Sequence, residues 1–189
     1  MKKKVIVIGA GGHATVCKEI IDSTANFSFA GFVGLASDSQ HHLLLGVEDQ
    51  LPQIRQSVSE AVIGLGQFGT AQNRKRIFEL LLKLGFSVPT LISPFAVVAA
   101  TAELSEGTVV CPGVIVGPEV KIGRCAILNT SCIVEHHCRI GEFCHIAPNA
   151  VVNGGVSIAD CSFVGSGAVV VQNAVLPTGS FVKAGSVIK

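Results

Sequence analysis

The sequence predicts two units in series: an α/β N-terminal domain with a short parallel sheet, followed by a parallel β-helix. The second unit rests on one regularity. From Val98 to Ile188 an aliphatic residue stands at every sixth position without a miss. Beside it runs a second register, a small or β-branched residue four positions after the aliphatic one, as at Ala126, Cys132, Cys138, Cys144 and Ala150. The first unit rests on a strand-like run, Lys3 to Ile8, that passes through a glycine loop into helical spacing.

A period of six suits neither an α-helix nor a flat strand, whose side chains recur about every 3.6 and 2 residues. It suits a chain that makes a short extended run, turns a corner and repeats. One aliphatic side chain per face then enters the axis of a triangular prism, and the small residue fills the corner. Three hexads complete a coil of eighteen residues, and the run makes a little over five coils, stacked to about 25 Å. Glycines directly after the aliphatic position, in Val116-Gly117, Ile122-Gly123, Ile140-Gly141 and Val164-Gly165, are expected where the backbone bends tightly or takes positive φ.

In the first unit, Lys3 to Ile8 reads as a buried strand and Gly9-Ala10-Gly11-Gly12-His13 as a loop, with Val16, Ile20 and Ile21 on the apolar side of a helix. Phe27 to Val33 and Ala61 to Leu65 read as further strands, and Arg74 to Leu84 as a helix with Ile77, Leu80, Leu81 and Leu84 on one face. This order is Rossmann-like. Gly9, Gly11 and Ala14 match the dinucleotide fingerprint in form. The second strand, however, ends Phe32-Val33-Gly34-Leu35, with Asp38 only later, and offers no acid for the ribose hydroxyls, which argues against a nicotinamide cofactor. What remains is a loop whose backbone can approach a ligand and whose following helix attracts phosphate at its N-terminus. A second glycine stretch, Gly64-Leu65-Gly66-Gln67-Phe68-Gly69, is expected to face the same crevice. Leu91-Ile92-Ser93-Pro94 closes the unit, which sets the domains at 1–92 and 93–189.

Composition narrows the function classes. Fourteen Lys and Arg against thirteen Asp and Glu leave a formal charge of +1, with no basic footprint for nucleic acid. Apolar runs are too short for a membrane span, and Val5 to Ile8 is too short for a signal peptide, so the expected location is the cytoplasm. Of seven cysteines, Cys132, Cys138 and Cys144 take corner positions of consecutive hexads, and no Cys-x-x-Cys pair is present; buried free thiols are expected rather than zinc or disulfides. Among six histidines, His41 and His42 sit in a polar stretch and receive no role. His13 stands at the glycine loop, His136 two residues after the inward Val134, where a bulky ring must project outward, and His145 nine residues on.

Together, the loop ending in His13, the linker with Pro94, the Asn129-Thr130 hexad and the Glu135-His136 hexad resemble the sugar O- and N-acyltransferases of the sialic acid O-acetyltransferase type. Among these the likeness is greatest to enzymes that N-acetylate a UDP-linked 4-amino-dideoxy sugar in bacterial glycan synthesis. The resemblance implies a left-handed parallel β-helix, acetyl-CoA as co-substrate, a nucleotide-sugar acceptor, and a homotrimer whose acyl-CoA site lies in the groove between prisms. It implies His136 as catalytic base, His137 at the place of the usual carboxylate partner, and the Gly154 N–H as oxyanion donor. His145, Ser166 and Ala184 would meet the coenzyme; Gly11, Gly12, His13, Ala14, Gly64 and Asn129 would meet the nucleotide sugar. An amine that attacks a thioester must shed a proton, which is why histidine is wanted. The competing readings are O-acetylation of sialic acid or another sugar, a zinc hydratase on the same prism, for which only His136, His137 and His145 are available, and a non-catalytic binding or assembly protein. No metal is expected.

Overall fold

The computed structural model describes residues 2–34 and 42–189; Leu35, Asp38 and His41 lie outside the described residues. The N-terminal unit runs β1 (Lys3–Ile8), α1 (Gly12–Ser23), β2 (Phe27–Gly34), β3 (Leu44–Val47), α2 (Leu51–Ile54), β4 (Glu60–Ile63) and α3 (Gln72–Lys83). The strands are parallel in the order β3-β2-β1-β4. β3 and α2, four residues each, are absent from the sequence reading; unlike the buried apolar run of β4, they carry no continuous apolar signal, with Gly46 inside β3 and Pro52 and Gln53 inside α2. Alternation along β1 divides the packing. Val5 and Val7 join Ala14, Cys17, Ile20 and Ile21 of α1, while Ile6 and Ile8 join Leu51 of α2 and Ile77, Phe78 and Leu81 of α3. The chain leaves β3 on one side of the sheet and returns as β4 on the far side of β1. The strand order therefore reverses between β1 and β4, and both glycine loops follow strands that flank this switch point.

From β5 (Leu91–Ile92) to β21 (Val187–Ile188) the chain forms a left-handed parallel β-helix of two-residue strands, gathered into one five-stranded and two six-stranded sheets. Each strand pairs with its equivalent one coil away, as in Lys121↔Arg139 and Ile122↔Ile140. The inward aliphatics from Val110 to Val182 are all buried. The ladder starts one hexad before Val98, because Leu91 is capped by α1 and Ile92 opens the prism; the boundary drawn after residue 92 thus falls at the end of the first strand rather than ahead of it.

The corners differ from the sequence expectation. The left-handed residue stands three positions after the aliphatic one, at Glu119, Cys125, Ser131, His137, Phe143 and Asn149, with φ between 53° and 61°. Such a conformation costs a non-glycine residue about 1–2 kcal/mol. Five of these corners recover a ladder bond, as where the His137 N–H donates to the Pro118 carbonyl at 3.0 Å, and the Glu119 N–H donates instead to Thr101 Oγ1 at 3.1 Å. Gly117, Gly123, Gly141 and Gly165 do not take positive φ; they are needed because the next coil comes too near for a side chain. A Cβ on Gly123 would stand 2.6 Å from the Glu142 nitrogen, and one on Gly165 2.5 Å from that of Ala184.

The outward residues make three different faces. The covered face carries Leu91, Val109, Ile127, His145, Phe163 and Phe181; the N-terminal unit lies over the first four, and its Phe68 ring packs edge-on against the last two. The charged face carries Glu103, Lys121, Arg139, Ser157 and Val175. The aliphatic face carries Val97, Ile115, Ile133, Val151, Val169 and Val187, and is exposed at Val97, Ile115 and Val187.

Close approach, not backbone conformation, is the constraint at Gly123, and the opposite holds at Gly167, where φ is +65° and a Cβ would meet nothing within 4 Å. Gly123→Ala is expected to destabilise by about 1–3 kcal/mol. Gly167→Asn, which places there the residue already holding the same corner at Asn149 and Asn173, is expected to stay within about 0.5 kcal/mol of the parent. Urea unfolding of both variants tests the distinction.

Candidate active site

Two separate places hold the candidate residues. The first is the junction between domains. His145 projects from the covered face and is buried, with Nδ1 2.8 Å from the Gln67 carbonyl oxygen in the second glycine stretch. That nitrogen must carry the proton, so Nε2 accepts from Asn129 Nδ2 at 3.0 Å. Asn129 is held in turn, its Oδ1 accepting from the Thr130 N–H at 2.8 Å. His13 lies against Cys17, with Nε2 3.9 Å from Sγ, and feels the charge of Arg74. The His13 residue is half-buried rather than open to solvent.

Arg74 governs the electrostatics here. Among the described residues its guanidinium is buried without a carboxylate, donating to Gln67 Oε1 at 2.8 Å and to the Cys125 carbonyl of the prism. The sequence marks Arg74 only as a helix residue, since a charged side chain at a helix start ordinarily faces solvent. Desolvation, with the Arg74 charge adding to it, pulls both His13 and His145 down to about 4. Both rings are neutral near pH 7. The cysteines are equally withdrawn: burial pushes the Cys111, Cys125 and Cys144 thiols up to about 12.

The first glycine loop opens on a different side of the same unit. A cavity of about 380 Å³ at the switch point is lined by Gly9, Gly11, Gly34, Leu65, Asn73 and Arg76, among others. Gly11 is the N-cap of α1 and carries no side-chain cap, so the helix N-terminus is open there. Gly12 is exposed. Ala14 and Gly64 are instead buried against each other; a Cβ on Gly64 would stand 2.8 Å from that of Ala14, so Gly64 lets α1 pack on the sheet. Arg76, held to Glu48 at 2.5 and 2.8 Å, brings to the cavity a cation that the sequence alone does not single out.

The second place is the edge where the aliphatic and charged faces meet. His136 and His137 occupy the corner after Val134, both exposed, with their Nδ1 atoms 2.9 Å apart. One coil on, Gly154 lies against the His136 ring: a Cβ there would come within 2.6 Å of Nε2. Among the described residues the Gly154 N–H finds no acceptor. One coil back, Glu119 Oε2 lies 3.2 Å from His137 Nε2. Ser166 and Ala184, both exposed, are stacked on the edge between the covered and aliphatic faces, the edge that also holds Asn129. In a triangular prism the His136 edge is opposite the covered face. One chain therefore brings together His13, Asn129 and His145, and separately His136, His137 and Gly154, but does not join the two groups.

Among the described residues no group of three or more His, Cys, Asp or Glu is arranged to hold a metal, and no helix is long and apolar enough to cross a membrane. The PglD N-terminal domain family matches residues 4–81, and the bacterial transferase hexapeptide family matches residues 137–172. No curated protein matches the chain. Among solved structures, a variant of GDP-perosamine N-acetyltransferase from Caulobacter crescentus, in complex with CoA and GDP-perosamine, is 32% identical, with a TM-score of 0.92 over 98% of this chain and 88% of that one. The acetyltransferase domain of PglB from Neisseria gonorrhoeae, in complex with acetyl coenzyme A, is 28% identical, with a TM-score of 0.84 over 100% and 93%. The chain belongs to the bacterial hexapeptide acetyltransferases that carry a PglD-type N-terminal domain, and is an enzyme of that class.

The neutral histidines give the fold a pH signature. Between the ordinary value near 6.5 and about 4, the unfolded chain binds protons that the folded chain refuses. Stability is therefore level above pH 7 and falls as pH drops through that window, by roughly 2 kcal/mol per histidine at pH 5. Urea unfolding at pH 7.5 and 5.0 measures the loss, which is expected to be smaller in His145→Gln.

Proposed function

We propose that this enzyme transfers the acetyl group of acetyl-CoA to the amino group of a nucleotide-linked 4-amino sugar, with His136 as general base and no covalent acyl-enzyme. The observation that carries the reading is the corner itself, an exposed imidazole lying against the backbone of Gly154, whose N–H has no acceptor among the described residues. The 32% identity to an enzyme that holds CoA and GDP-perosamine supports the reactants. The amine attacks the thioester carbonyl carbon; as the N–C bond forms, its proton passes to His136 Nε2. The carbonyl oxygen becomes an oxyanion, for which the Gly154 N–H is the preorganised donor. The C–S bond then breaks, and the departing thiolate takes up a proton.

The sugar diphosphate is assigned to the crevice between β1 and β4, where Gly11, Gly12 and the open end of α1 meet Arg76. His13 and Asn129 carry the acceptor from there toward the prism. His145, Ser166 and Ala184 are assigned to the coenzyme, with His145 as a neutral, rigidly held ring. Ala14 and Gly64 serve by shaping the loop rather than by contact.

The two half-sites meet only between copies. A homotrimer assembled through the aliphatic face would bring the His136 edge of one prism to the Asn129, Ser166 and Ala184 edge of the next, with acetyl-CoA in the groove between them. Six aliphatic side chains in a column, more than half exposed at Val97 and Val187, are the surface such an interface would use. The seven free thiols fit a reducing compartment, the cytoplasm.

Release of free thiol from acetyl-CoA is expected with a GDP- or UDP-linked 4-amino sugar and not with free or CMP-linked sialic acid; release with sialic acid alone would replace N- by O-acetylation. His136→Asn is expected to lower turnover at least about a hundredfold with the trimer intact by light scattering. Val151→Asp is expected to yield monomers and lose turnover together, whereas an active monomer would overturn the shared site.

A further inference from the structure

The corner that holds the candidate base lacks an acid directly after it in sequence, yet the fold supplies one from the coil below. Glu119 precedes His137 by one coil, and both take the same left-handed corner, with φ 58° and 61°. This stacking brings Glu119 Oε2 to 3.2 Å from His137 Nε2, while His137 Nδ1 lies 2.9 Å from His136 Nδ1. Three side chains from two coils thus form a line that ends on the imidazole against Gly154.

We propose that Glu119 is a positioning residue for the acetyl transfer, acting on the base through His137 as a carboxylate–histidine–histidine relay. The inference rests on the assignment of His136 as the base. One set of protons satisfies both contacts when Glu119 is ionised. His137 carries its proton on Nε2 and donates it to Glu119; its Nδ1 is then an acceptor and takes the Nδ1–H of His136. That leaves the lone pair on His136 Nε2, the atom beside Gly154. When Nε2 accepts the proton of the attacking amine, the imidazolium keeps its bond to His137, and the Glu119 carboxylate opposes its charge across one neutral ring. His137 therefore does not vacate the carboxylate's role but passes it one coil down.

The other charged groups around the pair do not substitute. Glu135 and Arg139 lie on the same coil, Arg139 in a strand on the charged face; Lys121 on the coil below is paired with Glu103 at 3.0 Å. The coil above presents only Gly154 and Gly155. Glu119 and His137 are 65% and 61% exposed in the single chain, so the charge effect is moderate.

Glu119→Gln keeps an acceptor for His137 and removes only the charge. It is expected to lower kcat/KM about three- to tenfold and to move the acid limb of its pH profile to lower pH, because the imidazolium loses its counter-charge. A merely structural glutamate would leave that limb in place. His137→Asn breaks the line in a corner that Asn149 and Asn173 show to be tolerant; in that background Glu119→Gln is expected to add little. Additive losses, or an unmoved acid limb in the folded Glu119→Gln trimer, would overturn the relay. Nitrogen-15 NMR titration of the His136 ring, with Glu119 and with Glu119→Gln, tests the same point without a substrate. A titration lowered by Glu119→Gln in protein that acetylates no amino sugar would sustain the relay and refute the reaction, while acetylation with an unmoved titration would do the reverse.

Discussion

The vertical register of the prism is the constraint on which the rest of the molecule depends. Every residue sits over its equivalent one coil away, and at Gly117, Gly123, Gly141 and Gly165 the backbones approach so nearly that a side chain would collide with the next turn. Columns, not sequence neighbours, therefore decide which side chains meet. Pro118, His136 and Gly154 form one column; Glu119, His137 and Gly155 form the one beside it. The left-handed corner is what turns the second column outward; the His137 and Gly155 N–H groups fix it by ladder bonds to the preceding coil, and that of Glu119 by a bond to the Thr101 hydroxyl. A catalytic group on such a scaffold needs no buried pocket to hold its direction, since neither coil can slip without breaking the pairs along three sheets.

A second constraint acts at the domain junction, where Arg74 is buried with no acid to meet it among the described residues. Its contacts are an amide oxygen and a backbone carbonyl, both dipoles. Burial first, and the charge of this isolated cation second, hold the neighbouring His13 and His145 neutral. The neutrality has a structural result. His145 can accept from Asn129 only with an unprotonated Nε2, so the same electrostatics that disfavour its charge also fix the Asn129 amide and, through Gln67, the loop after β4. The loop and the prism are thereby joined by one polar chain, Gln67 to His145 to Asn129, whose members all have to be un-ionised.

Much of this is legible in the sequence, and the remainder is hidden for identifiable reasons. The six-residue period exposes the inward aliphatics because burial tolerates no exception along an axis that narrow. It does not expose the outward chemistry, whose period is eighteen: the column Val97, Ile115, Ile133, Val151, Val169, Val187 and the pairing of Glu119 with His137 are both visible once the chain is written one coil per line. The glycines after the aliphatic position stand where a bend would put them but for another cause, since a tight bend and a close approach leave the same letter in the same place. Arg74 shares the helical face of Ile77 and Leu81, at spacings of three and seven, and Arg76 does not, so the apolar pattern separates the two; what the letters do not show is that the Cys125 carbonyl of the prism meets Arg74. His145 is found by its type and spacing, but nothing in the letters shows that both of its nitrogens are already engaged.

The three faces finally explain why catalysis and assembly belong together on the proposed reading. The covered face is closed by the N-terminal unit and the charged face holds its own ion pair, Lys121 with Glu103. Only the aliphatic face is left to exclude water, and both of its edges carry site residues: His136 and His137 on one, Asn129, Ser166 and Ala184 on the other. A neighbouring prism laid along it would act on the two edges at once. It would supply the half-site each edge lacks, and by displacing water from Glu119 and His137 it would strengthen a charge-assisted hydrogen bond that solvent weakens in the single chain. Assembly would then tune the base as well as complete the site, because the same solvent that weakens the relay in one copy is what the interface removes.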